Sequence, residues 1–537
     1  MPNVADVISS ILKEQDIKYV FGIPGDESLD LLESFRTNNI EFILTKHETS
    51  AAIMASVYGE ITGNPGICFV TKAPGVLNLM NGLGHAYLDR MPVLALTGQY
   101  PQHVYETVVR QKLNHQEILR GTTKWSGTIT AATAQQILLK AIRIATAPRE
   151  GPVHLDLPGN ISTQASEYKE IDKVKRHQVI GSIGISVSDA LNMAKKMLQG
   201  AKAPVIIAGL GVRRSRAHKE LQDFAQQLQI PVFTTVLAKS TVPGKHPFYA
   251  GTFLGGNLEL NLIEKSDLII AVGLDIADIY TTPWKLSQPI LYIDSVPNTD
   301  EFYHADLELI GDIGFILNTI KDMPLGEGRW DPSEVRRYKL WLNETLTAPA
   351  DGLTVKDMVD VTRKLLPDDG IVTCDAGFSK TLVLLLWEGY AEDTFFTSHG
   401  LSTMGYSLPA ALAAKILYPQ RYVVSMMGDG SFAMRATEIE VAVRMGLPIT
   451  IVVFSDECLS QIGVKQQRKG YPPYGVHFKN PDYVKFAESY GALGFDVKTV
   501  DEYQAALVQA LNSQKPAIIG AHITSKNNRQ LFDAIRG

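Results

Sequence analysis

The sequence has few cysteines, no excess of positive charge and no long apolar run. Three cysteines occur in 537 residues, and their wide spacing argues against a disulfide framework and a cysteine-based metal site. The formal net charge of -6 gives no basic footprint for nucleic acid. No apolar run approaches the roughly 20 residues of a membrane helix, and the N-terminal segment carries charges unlike a signal peptide. We therefore expect a cytoplasmic protein whose partners are small molecules and other copies of the chain, with no nucleic acid and no membrane.

Short apolar strand patterns alternate with amphipathic helical patterns along the whole chain. Examples of the strand pattern are YVFGIPG, DLIIAVGLD and ITIVVFSDE. This alternation predicts an α/β protein with parallel sheets covered by helices on both faces, that is, doubly wound sheets. Two polar stretches, about 158–178 and 322–334, indicate boundaries. The sequence therefore predicts three domains, at 1–165, 180–325 and 345–537.

One acidic residue stands between two glycines where a strand pattern ends, in RYVVSMMGDGSF. The helical pattern TEIEVAVRMGLP follows Asp429 and stops at Gly446 and Pro448, which predicts strand, tight turn and helix. The next strand pattern, ITIVVFS, ends in Asp456. Since consecutive strands of a βαβ unit are parallel, we expect both carboxylates at the same sheet edge.

Two neighbouring carboxylates without a partner repel each other, and a hard divalent cation removes that conflict. The N–H groups of Gly430 and Ser431, at the start of the following helix, suit phosphate oxygens. The alternative reading is structural, with Asp429 capping a tight turn and Asp456 an unrelated surface acid. The segments described next favour a site for a cation and a diphosphate over this structural reading.

GDGSF followed by SDEC resembles the diphosphate and metal signature of thiamine diphosphate (ThDP) enzymes. The resemblance implies that Mg²⁺ is held by Asp429, Asp456 and the backbone carbonyl of Cys458. Most of that family has Asn at the second position, and Asp favours the acetolactate-forming branch that works without flavin. CDAGFSK and SHGLSTMG resemble the diphosphate loop and the segment whose methionine, here Met404, holds the cofactor bent.

FILTKHETSAA resembles the segment whose glutamate hydrogen-bonds the aminopyrimidine and promotes deprotonation of the thiazolium carbon. That residue is Glu48, and a carboxylate buried near a ring nitrogen is costly without a dedicated role. Further segments, GIPGDESL and APGVLN among them, extend the resemblance over nearly the whole chain. The cofactor residues that it implies are Pro24, Glu48, Pro74, Asn78, Gly377, Phe378, Ser379, His399, Leu401, Met404, Asp429, Gly430, Ser431 and Asp456.

The resemblance implies a pyrimidine-binding domain, a central Rossmann-like domain and a diphosphate-binding domain. In that family the cofactor lies between subunits, so we expect at least a homodimer, and a homotetramer as the fuller assembly. IIAGLG in the central domain lacks a third glycine, and VGLDIADIYTT lacks the flavin-associated residues of relatives. FAD is therefore not expected.

The implied reaction is decarboxylation of a 2-oxo acid, followed by transfer of the enamine to a carbonyl acceptor, as in acetolactate synthase. Gln111 matches those carboligases, and the guanidinium of Arg110 would favour an acidic group on the substrate. Asp26 instead matches the proton relay of decarboxylases that release an aldehyde, although two other relay residues are missing. Two alternatives therefore remain open. One is a nonoxidative 2-oxo acid decarboxylase that releases an aldehyde, and the other is a catalytically silent binding or regulatory homologue. The proposed catalytic residues are Asp26, Glu48, Arg110 and Gln111.

Overall fold

The computed structural model describes residues 1–174, 186–279, 284–299, 302–322, 330–348 and 350–536. Parts of both predicted boundary stretches, and the last three residues of VGLDIADIYTT, lie outside these ranges. The chain forms two compact units. Unit 1 contains Met1–His177, Leu401–Pro419 and Arg435–Leu447, and unit 2 contains Gln178–Gly400, Gln420–Met434 and Pro448–Gly537.

Unit 1 is built around one six-stranded parallel sheet, with the strand order β2-β1-β3-β4-β6-β5. Its strands are β1 Tyr19–Ile23, β2 Glu41–Leu44, β3 Gly66–Val70, β4 Val93–Gln99, β5 Trp125–Thr128 and β6 Val153–Pro158. The helices of its N-terminal part are α1 Val4–Glu14, α2 Leu29–Thr37, α3 Glu48–Thr62, α4 Ala73–Leu88, α5 Gln102–Tyr105, α6 His115–Leu119 and α7 Ala134–Thr146, with a 3₁₀ turn at Asp26–Ser28.

Helix α3 is the central helix of unit 1, and almost every one of its side chains is buried. Its small residues allow α4 to approach closely, because a Cβ atom added to Gly82 of α4 would lie 2.5 Å from the Cβ of Ala52. A larger residue at either position would force the two helices apart. This packing holds the start of α3, where Glu48 lies, against the sheet.

The second sheet lies in unit 2 and has the strand order β12-β11-β10-β7-β8-β9, all parallel. Counted along the sheet, this is the 3-2-1-4-5-6 order of the Rossmann fold. Its strands are β7 Pro204–Ala208, β8 Val232–Thr234, β9 Tyr249–Thr252, β10 Leu268–Val272, β11 Ile290–Asp294 and β12 Leu307–Ile310. The helices are α8 Val187–Gly200, α9 Leu210–Ser215, α10 His218–Leu228, α11 Leu260–Ile263, α12 Ile313–Lys321 and α13 Pro332–Thr345, with a 3₁₀ turn at Ile276–Asp278.

The third sheet, also in unit 2, has the order β14-β13-β15-β16-β18-β17 and repeats the topology of the first. Its strands are β13 Ile371–Cys374, β14 Phe395–Thr397, β15 Val423–Gly428, β16 Thr450–Ser455, β17 Leu493–Val497 and β18 Ala517–His522. The helices of this part of the sequence are α14 Val355–Leu365, α15 Phe378–Leu386, α16 Ser407–Leu417, α17 Asp429–Arg435, α18 Ile439–Arg444, α19 Ser460–Arg468, α20 Tyr483–Tyr490, α21 Val500–Asn512 and α22 Asn528–Arg536, with a 3₁₀ turn at Ala436–Glu438.

These sheets confirm the predicted α/β class and the parallel pairing of the strands that end before Asp429 and Asp456. The predicted tight turn after β15 is wrong, because α17 begins directly at Asp429 and the helical segment is interrupted at Ala436–Glu438. Helices α16 and α18 lie in unit 1. None of the helices within the described ranges is long and apolar enough to cross a membrane.

Candidate active site

The candidate residues of unit 2 lie at the carboxyl ends of the third sheet. Strands β13 and β15 are neighbours, and the chain leaves them in opposite directions along the sheet. Ligands of doubly wound sheets bind at such a switch point. Gly377 follows β13, Asp429 follows β15 and Asp456 follows β16. The topology therefore gathers these three positions at one edge.

Asp429 is buried and accepts several hydrogen bonds through its carboxylate. Oδ2 accepts from the backbone N–H groups of Asp456 at 3.0 Å and Glu457 at 2.8 Å, and from Asn480 Nδ2 at 2.8 Å. Oδ1 accepts from the N–H of Gly430 at 2.8 Å. These donors fix the carboxylate at the end of β15. Asn480 had not been predicted, since 51 residues separate it from Asp429 and no local pattern connects them.

Asp456 supplies the second carboxylate at this edge. The pKa of Asp456 is raised to about 6, chiefly by burial and also by the negative charge of Asp429, while a hydrogen bond from Ser460 opposes the rise. A divalent cation would remove the desolvation and repulsion that disfavour the charged form. The pair of carboxylates therefore fits a hard cation. The peptide group of Cys458 follows two residues later, in a half-buried position.

The turn after β13 leaves room for a group larger than a cation. Gly377 has φ +121°, and a Cβ atom added there, or at Gly428, would meet no atom within 4 Å. Gly377 is the N-cap of α15, so its turn exposes helix N–H groups. The hydroxyl of buried Ser431, in the first turn of α17, has no hydrogen-bond partner in the described part of the chain. Open space, N–H groups and an unpaired hydroxyl fit a diphosphate.

The remaining unit 2 candidates follow strands β13 and β14 of the same sheet. Phe378 begins α15 and stacks on Phe532, with ring centroids 6.4 Å apart, so it contributes to the core as well as to the turn. Ser379 follows it and is half-buried. His399 is buried just after β14.

In unit 1, Glu48 is the first residue of α3 and is only 7% exposed. One carboxylate oxygen accepts a hydrogen bond from Asn78 Nδ2 at 3.0 Å. The other oxygen makes no hydrogen bond to any described residue. A nearly buried carboxylate with one unused oxygen is unfavourable by itself and suits a ligand that presents an N–H group. Glu48 therefore fits the aminopyrimidine that the sequence predicted for it.

The other unit 1 candidates lie in more exposed places. Pro24 follows β1, and Pro74 lies in the first turn of α4. Leu401 is 37% exposed, and Met404 is half-buried ahead of α16.

The proposed specificity residues Arg110 and Gln111 are exposed in the loop after α5. Gln111 has φ +55°, and the carbonyl of Arg110 accepts a hydrogen bond from the Tyr100 hydroxyl at 2.8 Å. These contacts fix the course of the loop but leave both side chains free to meet a ligand.

At GIPGDESL the structure buries a carboxylate that the sequence reasoning had not selected. Asp26 is exposed, whereas its neighbour Glu27 is buried, accepts from Thr71 Oγ1 at 2.6 Å and pairs with Lys72. Burial alone would raise the pKa of Glu27, but the hydrogen bonds from Lys72 and Thr71 lower it below its ordinary value. The sequence pattern does not show whether Asp26 or Glu27 points into the protein, because the 3₁₀ turn at Asp26–Ser28 determines which of the two is buried.

A second buried polar cluster in unit 1 joins strands β4 and β6 to His115 of α6. His115 Nδ1 lies 2.8 Å from Asp156 Oδ1, and Thr97 Oγ1 lies 2.8 Å from His154 Nε2 and 3.1 Å from Asp156 Oδ1. The three ligand atoms of His115, His154 and Asp156 lie within 4.8 Å of one another. One assignment of protons satisfies every donor, with His154 donating to Thr97 and both Thr97 and His115 donating to Asp156. The other ring nitrogens, His115 Nε2 and His154 Nδ1, are buried and have no hydrogen-bond partner among the described residues.

Comparison with known families matches three successive parts of this chain. Residues 2–119 match the thiamine pyrophosphate enzyme N-terminal TPP binding domain, residues 191–320 the central domain, and residues 375–521 the C-terminal TPP binding domain. The chain belongs to the thiamine pyrophosphate enzymes. Its cofactor is thus thiamine diphosphate, and the N- and C-terminal matches contain Glu48 and the Asp429–Asp456 pair respectively.

This thiamine pyrophosphate enzyme is similar over nearly its whole length to acetolactate synthases. It is 29% identical to the acetolactate synthase of Bacillus subtilis, over 98% of this chain and 94% of that protein. It is also 29% identical to a probable acetolactate synthase large subunit of Methanocaldococcus jannaschii, over 96% and 91% respectively. Acetolactate synthase isozyme 2 large subunit of Escherichia coli is 28% identical, over 98% and 96%.

Proposed function

We propose that this chain is a Mg²⁺- and ThDP-dependent carboligase that decarboxylates a 2-oxo acid and joins the remaining unit to a second carbonyl compound. The observation that carries the proposal is the full-length similarity to acetolactate synthases, which extends through all three sheets. Glu48 and the Asp429–Asp456 pair supply the groups that such a reaction requires.

Glu48 is proposed to hold the aminopyrimidine through the carboxylate oxygen that Asn78 leaves unused. When bound, the cofactor supplies an acidic carbon that adds to a 2-oxo acid and accepts the electron pair released with CO₂. The task of Glu48 is to keep a proton at the ring nitrogen. The near-complete burial of Glu48 favours its hydrogen bond to the ring nitrogen, because little water competes for the carboxylate.

Asp429, Asp456 and the carbonyl of Cys458 are proposed to hold Mg²⁺, since oxygen ligands are the ones that this ion prefers. The Gly377 turn, Ser379, Gly430 and Ser431 would receive the diphosphate. The raised pKa of Asp456 supports this assignment, because a cation would offset the burial and the repulsion from Asp429 that disfavour the charged form.

Arg110 and Gln111 are proposed to select the substrates. A guanidinium on an exposed loop would favour a donor or acceptor with a carboxylate, sulfonate or phosphonate group. Asp26, in the 3₁₀ turn of unit 1, is proposed as a proton-handling group. These three side chains are exposed, which a role in contact with incoming substrates requires.

The domain ranges 1–165, 180–325 and 345–537 belong to the same proposal, as does assembly into a homodimer or homotetramer. No flavin is expected in the central domain, because Asp278 already accepts from the N–H of Leu210 at 2.9 Å, where a phosphate would bind a nucleotide turn. A cytoplasmic location is consistent with the three free cysteines.

The proposal is tested by CO₂ release from a panel of 2-oxo acids, with Mg²⁺ and ThDP supplied and products identified by mass. The panel should include pyruvate and donors with a second acidic group. A condensed hydroxy-oxo acid would support carboligation and name the donor. A free aldehyde as the main product would overturn it in favour of simple decarboxylation.

A further inference from the structure

The junction between β2 and α3, which delivers Glu48 to the site, is held by a segment far away in the sequence. Glu438, in the 3₁₀ turn after α17, is fully buried within unit 1. Its Oε1 and Oε2 atoms accept from the backbone N–H of Lys46 at 3.1 and 3.2 Å. A buried carboxylate thus replaces water at a main-chain donor two residues before Glu48.

Two more side chains of the same segment hold this junction. Glu440 Oε2 lies 3.2 Å from Lys46 Nζ, and the guanidinium of Arg444 donates to the carbonyl of Leu44, the last residue of β2. Arg444 Nε also pairs with Glu440 at 3.0 Å. Of these three side chains, that of Glu438 is buried, whereas those of Glu440 and Arg444 are partly exposed. Glu438 therefore constrains the main chain most strongly.

The geometry of the junction decides where the Glu48 carboxylate points. His47, the N-cap of α3, is extended at φ -151° and ψ 143°, and its Nδ1 atom accepts from the N–H of Thr49 at 3.1 Å. A rotation at Lys46 would carry His47 and the first turn of α3 with it. Displacing a reacting group by about 1 Å can lower a rate by about 100-fold. Burying a carboxyl group costs free energy unless it is hydrogen-bonded, so the hydrogen bonds to Lys46 explain Glu438 better than space filling does.

We propose that Glu438 is a positioning residue, which fixes the main chain at Lys46 and so directs the Glu48 carboxylate toward the cofactor. This inference rests on the proposed role of Glu48. This role requires a side chain long enough to reach Lys46 N–H. It does not require a carboxylate, since the amide oxygen of glutamine can accept the same hydrogen bond. Charge is secondary.

The test compares two conservative variants of the whole protein. Glu438→Gln keeps the length of the side chain, whereas Glu438→Asp keeps the charge but withdraws it by about 1.5 Å, one C–C bond. We expect Glu438→Gln to retain kcat within about threefold and Glu438→Asp to lose about tenfold or more, with KM little changed. Glu440→Gln is the matched control, because Glu440 contacts the side chains of Lys46 and Arg444 but no main-chain N–H of the junction among the described residues, and the kcat of this variant should stay near wild type.

The second readout is independent of turnover. Amide hydrogen exchange of the cofactor-free protein should be faster over residues 44–49 in Glu438→Asp and unchanged in Glu438→Gln and Glu440→Gln. Equal kcat and equal exchange in Glu438→Asp and wild type would overturn the proposal, as would a larger loss in Glu438→Gln than in Glu438→Asp. If wild type turns over no 2-oxo acid, the proposed function fails, and the exchange comparison still decides whether Glu438 holds the junction.

Discussion

Acid should weaken unit 1 through one buried imidazole, that of His154. The side chain is fully buried, and burial lowers its pKa from 6.5 to about 4, although the nearby charge of Asp156 opposes the shift. An unfolded chain therefore binds a proton at His154 in a pH range where the folded chain does not. Folding stability contributed by neutral His154 is present above about pH 6.5 and is lost as the pH falls toward about 4.

The size of this effect follows from the two pKa values. With 6.5 unfolded and about 4 folded, the free energy of unfolding falls by about 2 kcal/mol between about pH 7 and about pH 5. The pKa of Asp156 is below its ordinary 3.8, because hydrogen bonds from His115 and others outweigh its burial. Its protonation therefore lies outside this pH window. Burial also lowers the pKa of His47 in the same unit, so the contribution of His154 is the difference in slope between wild type and a His154 variant.

The assay is hydrogen exchange of the slowest amides of β6, which reports the unfolding free energy of this unit at each pH. His154→Gln removes the titrating ring, so on acidification the wild type should lose about 2 kcal/mol more than the variant. His103→Gln is the matched control, because His103 is exposed and its loss should leave the slope unchanged. Equal slopes in wild type and His154→Gln would refute the reasoning.

Three further variants test other parts of the account. Asp429→Asn should weaken Mg²⁺-dependent binding of ThDP by about tenfold or more, measured by metal titration, and unchanged metal dependence would contradict its assignment. Gly377→Ala should cost about 1–3 kcal/mol, since φ +121° with an extended ψ is a region that only glycine adopts readily, and urea unfolding of the cofactor-free protein measures it. Glu27→Gln should lower the melting temperature by a few degrees and Asp26→Asn should not, because only Glu27 is buried against Lys72. Equal melting temperatures would contradict this.

The positions of Asp429 and Asp456 could be predicted because they follow from a local rule. Two apolar strand patterns joined by a helical segment form a parallel pair, so residues at both carboxyl ends meet at one edge. Glu48 and Gly377 were instead selected by the resemblance of FILTKHETSAA and CDAGFSK to segments of thiamine diphosphate enzymes. The fold class followed from the same periodicity, whereas the order of the strands in each sheet was not predicted.

The contacts that hold these residues could not be predicted. Asn480 reaches Asp429 across 51 residues, and Glu438 reaches Lys46 across 392. Such pairs depend on how helices pack, which a period of 3.6 or 2 residues does not specify. The early start of α17 at Asp429 was missed for a related reason, because glycines on both sides of the residue indicate a turn as readily as a helix start.

The most direct test of carboligation is the ratio of CO₂ released to condensed product formed, with the 2-oxo acid that reacts fastest. The account predicts one CO₂ for each hydroxy-oxo acid, dependence on Mg²⁺ and ThDP, and loss of both products in Glu48→Gln. Release of CO₂ with an equal amount of free aldehyde, or turnover unchanged in Glu48→Gln, would contradict it.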